Sequence, residues 1–196
     1  KILPANQINN FYLDCNSIIY DCIHKPDTPF TTIESLIMNV CVKIEEYVKD
    51  IKPNNILYIT FDGVAPIAKL DQQRGRRYKS TYNVKAETDS DKQADETEIQ
   101  TVEPFNTNQI TPGTQFMKQL NVSVKKYFEN KAKDYNVSKI ILSMSDEHGE
   151  GEHKIFDYIR KNHEQHTEDT STVVYGLDAD LIMLSINHLS VCTNMY

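Results

Sequence analysis

The sequence predicts an α/β fold: a mostly parallel, twisted sheet with helices on both faces. Short apolar segments of strand length alternate along the chain with longer segments whose apolar residues recur at helical spacing. Strand–helix–strand connections of this kind are the crossovers that a parallel sheet requires. The 196 residues, of which 39% are hydrophobic and 25% charged, can bury one large core. We therefore expect a single domain over 1–196.

The first elements are a strand and a long helix. The apolar segment from Phe11 to Ile23 predicts a buried strand that runs into a polar turn at its first acid. The helix that follows has Thr31 and Glu34 as its expected capping box. Its apolar residues recur at helical spacing from Ile33 to Val48, and Pro53 marks its end.

The middle of the chain combines a strand, a basic helix and an acidic segment. A short strand at Ile56–Phe61 stops at Asp62, and a polar helix begins at about Pro66. Seven acidic residues and one lysine then give the stretch 87–103 a local charge of −6. Such a stretch favours a mobile, solvated loop, which we expect over about 83–109.

The second half repeats the strand and helix alternation. Apolar residues from Phe116 to Phe128 predict an amphipathic helix, and Ile140–Met144 predicts a strand. A helix over about Glu152–His163 and a strand at Thr172–Tyr175 follow. The resulting order of elements is typical of a doubly wound sheet.

The net charge of −7 does not exclude a polyanionic substrate, because the acidity is local. Between Lys69 and Lys79, five basic residues face one aspartate and give a local charge of +4. Residues at helical spacing on one face of this segment can cradle a phosphate: Lys69, Gln73, Arg76 and Arg77. The alternative is a solvated basic face that pairs with the acidic loop.

The remaining composition favours a reducing compartment and excludes a membrane span. No stretch of eighteen apolar residues is present. The four cysteines form no C-x-x-C pair, which is typical of reduced thiols. We expect a cytoplasmic location, with the nucleus as the alternative.

Carboxylates follow every predicted strand. In open parallel sheets, ligands bind beyond the carboxyl ends of the strands. The acids at these ends are Asp14, Asp62, Asp146 and Asp178, and the pairs Glu150/Glu152 and Asp178/Asp180 flank a small residue at the start of a helix. Any single one of them could instead be a turn residue or a helix cap.

Such a cluster needs cations or protons. Two unit charges about 4 Å apart repel by roughly 4 kcal/mol at an effective dielectric constant of about 20. Hard Mg²⁺ fits an oxygen-only ligand set, with Mn²⁺ as the alternative and zinc disfavoured. Two such ions would support phosphodiester hydrolysis.

Five motifs in this chain resemble the catalytic region of XRN-type 5′→3′ exoribonucleases. They occur in the family's order and span most of the chain: Phe11–Ser17 (FYLDCNS), Phe61–Arg77 (FDGVAP through QQRGRR), Ile110–Met117 (ITPGTQFM), Gly149–Ile155 (GEGEHKI) and Tyr175–Ile182 (YGLDADLI).

The resemblance implies a PIN/flap-nuclease-like domain that binds two Mg²⁺ ions. It implies removal of nucleoside 5′-monophosphates, one at a time, from single-stranded RNA with a 5′-monophosphate by in-line hydrolysis. By the same resemblance, the family's metal-binding and catalytic acids correspond to Asp14, Asp62, Glu150, Glu152, Asp178 and Asp180, and its 5′-phosphate pocket corresponds to Lys69, Gln73, Arg76 and Arg77. Asp146 matches no family acid and is expected to be a cap.

This chain also departs from the family's pattern. Tyr20 stands where a base-stacking histidine is common, and an aromatic ring can still stack. His148 replaces a proline, and His148 and His153 are expected to pack or face solvent rather than bind metal. The family's further downstream acid and tryptophan have no counterpart, so the domain is expected to be incomplete at both ends. Two alternatives stay open: a related 5′ or flap nuclease acting on DNA, and an RNA-end-binding fragment without turnover.

Overall fold

The computed structural model describes residues 7–24, 29–75, 78 and 105–196. Four strands form one parallel sheet: β1 (Asn10–Asp14), β2 (Ile56–Thr60), β3 (Lys139–Ser143) and β4 (Thr172–Tyr175). Their order is β3-β2-β1-β4, so the chain moves outward from β1 in one direction and then returns to its other side. The topological switch point therefore lies between β1 and β4, where open α/β sheets bind ligands.

Helices cover both faces of this sheet, as predicted. The described helices are α1 (Asn16–His24), α2 (Ile33–Ile51), α3 (67–75), α4 (Gln115–Phe128), α5 (Gly151–Lys161) and α6 (Asp180–Asn187). Short 3-10 turns lie at Thr107–Gln109 and His163–Gln165. None of the helices in the described part of the chain has both the length and the apolar character needed to traverse a bilayer.

The alternation of side chains along β1 separates two cores. Phe11 and Leu13 point into a cluster with residues of α1, α2 and α4. Tyr12, between them in sequence, joins a second cluster with α5 and α6 on the opposite face. Because successive strand residues point to opposite faces, a strand buried on both sides is apolar throughout. This is the reason that the strands could be predicted as continuous apolar segments.

The first strand ends at Asp14, where the sequence predicts a turn, but the helix that follows was not predicted. Residues Asn16–His24 form α1, in which Ile18, Ile19 and Cys22 are buried at helical spacing. The β-branched isoleucines favour a strand locally, but their packing against α2 decides the conformation.

The predicted capping box is also shifted by one residue. Thr32 caps α2: its hydroxyl accepts from the Ser35 N–H at 3.1 Å, and the Ser35 hydroxyl accepts from the Thr32 N–H at 3.1 Å.

The acidic stretch 87–103 lies outside the described residues. Most of the loop predicted over about 83–109 therefore lies outside them too; at its end, Thr107–Gln109 form a 3-10 turn.

Candidate active site

Strand ends and helix starts bring six carboxylates to the carboxyl edge of the sheet. Asp14 ends β1, Asp62 lies two residues beyond β2, and Glu150 occupies the N-cap position of α5. Carboxylate oxygens lie within 4.8 Å of one another in two groups, Asp14/Asp62/Glu152 and Glu152/Asp178/Asp180. Glu152 belongs to both groups and therefore lies at the centre of the cluster.

Asp62 is held by two hydrogen bonds that fix its orientation. Its Oδ2 accepts from Asn16 Nδ2 at 2.6 Å, and its Oδ1 accepts from the Gly151 N–H at 2.7 Å. The Asp62 N–H donates in turn to Asn16 Oδ1 at 3.1 Å. The side chain therefore has a fixed rotamer, and both of its oxygens face the start of α1 and the start of α5.

Burial and mutual repulsion keep two of the acids hard to ionise. Asp14 and Glu152 are 8% and 4% exposed. Burial, with the neighbouring charges of Asp62 and Glu152, raises the pKa of Asp14 to about 8. Burial, with the charge of Asp62, raises the pKa of Glu152 to about 7. Burial likewise raises the pKa of Asp62. The cluster is therefore short of positive charge at neutral pH.

Lys69 of α3 supplies part of that positive charge. Its Nζ lies 2.7 Å from Glu150 Oε2, 3.8 Å from Glu152 Oε1 and 3.9 Å from Asp180 Oδ2. The hydrogen bond to Glu150 raises the pKa of Lys69. Lys69, predicted only as a phosphate ligand, thus connects α3 directly to the carboxylates.

Two glycines join the loops after β2 and β3. The Gly63 N–H donates to Gly149 O at 2.9 Å, and the Gly149 N–H donates to Val64 O at 3.1 Å. Gly149 has φ +96°, and a Cβ on Gly63 would lie 1.6 Å from Glu147 O. The loops therefore pack more closely than any side chain at Gly63 would allow.

A buried lysine lies directly behind the carboxylates. Lys154 of α5 is 8% exposed, and its Nζ donates to Phe61 O at 2.9 Å and to Met144 O at 2.8 Å. These carbonyls immediately follow β2 and β3, so the ammonium group links the ends of neighbouring strands. Burial lowers the pKa of Lys154.

All of these carboxylates except Asp180 line one side of a cleft of about 480 Å³. Tyr20 of α1 and Gln73 of α3 line it as well, and residues of the segment 107–112 form another wall. Tyr20 is 40% exposed and its ring is nearly parallel to that of His24, with centroids 6.5 Å apart. A ligand that enters this cleft would meet the acids, an aromatic ring and an amide together.

The outcome differs among the remaining residues that the sequence analysis singled out. Arg76 and Arg77 lie outside the described residues. Asp146 is not a helix cap, because Glu150 holds that position in α5; Asp146 lies in a turn, 3.3 Å from Lys125 Nζ. His148 is exposed. His153 is exposed too, and its Nε2 lies 3.9 Å from Glu150 Oε2.

The sequence did not predict the roles of Asn16, Gly151 and Lys154 as neighbours of the acids. All three lie inside motifs quoted above, but their partners are distant in sequence: Asn16 and Asp62 are 46 residues apart, and Gly151 and Asp62 are 89 apart. A polar residue two positions after a strand-ending acid was the one available signal, and it identifies Asn16 alone.

Comparison with known proteins assigns the family. The profile described as XRN 5'-3' exonuclease N-terminus matches residues 2–193. This chain belongs to that family. The XRN resemblance carried by the five motifs is thereby confirmed.

Named relatives agree with this assignment. The chain is 39% identical to 5'-3' exoribonuclease 1 of Saccharomyces cerevisiae over 95% of its own length and 13% of the relative's. It is 38% identical to 5'-3' exoribonuclease 2 of Arabidopsis thaliana, covering 92% of this chain and 19% of the relative. It is also 38% identical to 5'-3' exoribonuclease 2 of Gallus gallus, over 92% of this chain and 20% of the relative. The chain thus spans a fifth or less of the length of these relatives.

The donor atoms of this XRN-family chain fit hard divalent cations. Two of the three groups of possible ligand atoms offer only carboxylate oxygens, which Mg²⁺ and Mn²⁺ prefer. The third group adds the exposed His153 to Glu150 and Glu152. Asp14 Oδ1 is buried and has no hydrogen-bond partner among the described residues. A buried carboxylate oxygen without a partner is costly unless a cation or a proton compensates it.

Proposed function

We propose that this chain carries the catalytic centre of a metal-dependent 5′→3′ exoribonuclease that degrades single-stranded RNA bearing a 5′-monophosphate. One observation carries the proposal: two carboxylate groups share Glu152 at the rim of an open cleft, in a chain of the XRN family. The relatives' names, 5'-3' exoribonuclease 1 and 2, specify the reaction class.

The chemistry would be hydrolysis of the first phosphodiester bond. Two bound Mg²⁺ ions, or Mn²⁺ in their place, would supply activation of the attacking water and stabilisation of the leaving oxygen. The six acids named above would hold these ions. Asn16 and the Gly151 N–H keep Asp62 oriented. Asp14 and Glu152, whose pKa values are raised by burial, would release their protons when cations bind beside them.

Recognition of the RNA end would come from α3 and α1. Lys69 and Gln73 would contact the terminal phosphate together with Arg76 and Arg77, which lie outside the described residues. Lys69 Nζ lies 2.7 Å from Glu150, so the phosphate would sit beside the reacting bond. The exposed ring of Tyr20 would stack on the first base, which is worth about 1–3 kcal/mol. Because this pocket would hold the 5′-terminal phosphate, the bond placed beside the carboxylates would be the first one in the chain, and cleavage would proceed from the 5′ end.

A substrate comparison tests the proposal. The chain is incubated with RNA bearing a 5′-monophosphate, the same RNA with a 5′-hydroxyl, and DNA of the same sequence, each with Mg²⁺ or EDTA. We expect mononucleotide release from the phosphorylated RNA alone, and only with Mg²⁺. Equal cleavage of DNA would support a flap-type nuclease instead. Tight binding of the phosphorylated end without any cleavage would support an end-binding fragment.

Two double variants separate the parts of the site. Glu150→Gln with Glu152→Gln should abolish hydrolysis, because it removes two charges from the cluster, whereas Glu168→Gln, an exposed acid elsewhere, should not. Arg76→Ala with Arg77→Ala should remove the preference for a 5′-phosphate. Full activity of the first variant would refute the catalytic assignment, and an unchanged preference in the second would refute the pocket.

A reducing compartment, the cytoplasm or the nucleus, belongs to the same proposal. All four cysteines are free and buried. Burial raises the pKa of Cys41 to about 12, which keeps this thiol protonated and unreactive.

A further inference from the structure

The two edges of the sheet differ within the described part of the chain. At the β4 edge, residues 194–196 pair with the strand: the Thr172 N–H donates to Asn194 O and the Tyr196 N–H to Thr172 O, each at 2.9 Å. At the opposite edge, no described segment pairs with the outer side of β3. An uncovered strand edge is a template for another strand, so this edge needs an explanation.

The pairing of β3 with β2 identifies its outward-facing backbone groups. The Lys139 N–H donates to Asn55 O at 3.0 Å, and Ser143 O accepts from the Phe61 N–H at 3.0 Å. In a parallel ladder, alternate residues direct both their N–H and C=O to the same neighbour. Residues 139, 141 and 143 therefore face β2, and Ile140 and Leu142 direct their N–H and C=O groups outward.

A groove of about 570 Å³ lies along this edge, between β3 and the end of α4. Ile140 and Leu142 line it, and both side chains are half-buried. The groove therefore offers backbone donors, backbone acceptors and apolar surface at the same two residues.

The charge of this β3-edge groove is positive. Its lining includes Lys125, Lys126 and Lys139 against Glu129. Lys125 is paired with Asp146 at 3.3 Å, and Lys126 is exposed on the α4 side. Lys139 is exposed as well, and its Nζ lies 6.0 Å from the centroid of the Tyr158 ring, on the α5 side of the sheet. Lys133 lines an adjoining hollow and adds a further positive charge. An occupant with negative charges would complement this surface.

We propose that the β3-edge groove binds an extended acidic segment of a partner protein, which adds to the sheet as a parallel or antiparallel strand beside β3. Such a segment satisfies the outward N–H and C=O groups of Ile140 and Leu142. Its acidic side chains meet Lys126 if they lie on the α4 side of the sheet, or Lys139 if they lie on the α5 side. RNA fits less well, because its phosphates only accept hydrogen bonds, and its donors, the 2′-hydroxyls and base edges, do not repeat at the spacing of the backbone groups of a strand. The groove lies away from the carboxylate cleft and shares no lining residue with it.

Amide hydrogen exchange measured by NMR tests strand addition at single residues. The probe is an acetylated octapeptide of alternating glutamate and valine, compared with its lysine–valine counterpart and with a uridine oligonucleotide. We expect the acidic peptide to slow exchange at Ile140 and Leu142 by about tenfold or more, since these amides gain hydrogen bonds on binding. The amides of Ile141 and Ser143, already bonded to β2, should change little.

Variants identify the contributions of charge and backbone. Lys126→Glu with Lys139→Glu should weaken binding of the acidic peptide roughly tenfold at low salt and strengthen binding of the basic one. Lys118→Glu, an exposed residue of α4 that does not line the groove, is the matched control. Leu142→Pro removes one outward N–H without touching a bond to β2, and it should also reduce binding. Thermal unfolding verifies that each variant is folded.

Several outcomes would overturn the proposal. Slow exchange of the Ile140 and Leu142 amides in the free protein would show that the edge is already covered. Protection by the oligonucleotide but not by the peptide would assign the groove to RNA. Absence of protection by every probe would mean that the lysines only prevent association of the edge with other strands.

Discussion

Replacing Gly151 with alanine should damage cation binding while leaving the fold largely intact. Gly151 is the first residue of α5, and its N–H holds Asp62. A Cβ at this position would lie 2.5 Å from Asp14 Oδ1 and 2.8 Å from Asp14 Cγ, whereas ordinary contacts begin at 3.4 Å. The Asp14 carboxylate must therefore move by about 1 Å away from residue 151, which changes its position in the group that it forms with Asp62 and Glu152. Alanine favours helix by up to about 1 kcal/mol, which offsets part of the strain.

The expected loss can be measured directly. We expect the affinity for Mg²⁺ or Mn²⁺, measured by calorimetry, to fall about ten- to hundredfold, as when groups that position metal ligands are altered. The melting temperature without cation should change little. Gly75→Ala is the control, because its Cβ would meet no atom of the described residues within 4 Å; it should keep the wild-type affinity. Wild-type affinity in Gly151→Ala would refute the inference that Asp14 binds the cation in the position described.

Three further outcomes concern charge inside the fold. The Glu45 carboxylate accepts hydrogen bonds from Tyr135, Tyr127, Lys131 and Lys49. The bond from Lys49 helps to lower the pKa of Glu45 to about 2. Glu45→Gln should therefore reduce the free energy of unfolding by about 1–3 kcal/mol at pH 7. That difference should shrink in urea titrations as the pH falls from about 4.5 towards 2, and a constant difference would contradict the charge assignment. In EDTA, the melting temperature should fall as the pH rises from about 5 to 8, because the folded state holds protons on Asp14 and Glu152 that the unfolded chain has released. Mg²⁺ should reverse this trend. A melting temperature that rises with pH in EDTA would contradict the raised pKa values of these two acids. Lys154→Met should lower the stability by about 2–4 kcal/mol, since it leaves two buried carbonyls without their donor, whereas equal stability of the methionine and wild-type proteins in calorimetry would contradict this role.

Much of the fold was predictable because the strands are both apolar and sharply terminated. β2 and β4 are largely buried, and an acid follows closely after each of them. The apolar segment and the polar residues after it therefore indicate the same strand end. The segment Asn16–His24 was not predictable in this way. Its isoleucines favour a strand locally, whereas the burial of one helical face against α2 and the surrounding core stabilises a helix.

The candidate site was predictable where position along a strand was sufficient. Asp14 and Asp62 follow strands, and parallel strands place their carboxyl ends at one edge. The contacts that orient the acids were not predictable, because they depend on how loops from distant parts of the chain pack. Asn16 beside Asp62, and Lys154 beneath the strand ends, are consequences of the assembled sheet.

The pair of hydrogen bonds between Gly63 and the Gly149 region makes the loops that carry Asp62 and Glu150 a single mechanical unit. Neither loop can swing without breaking backbone bonds to the other, and the Gly151 N–H reinforces this link. The spacing of these two acids is therefore set by the protein before any ligand binds. Adjustment to a substrate must come from the opposite wall of the cleft, where Tyr20, Gln73 and the segment 107–112 lie.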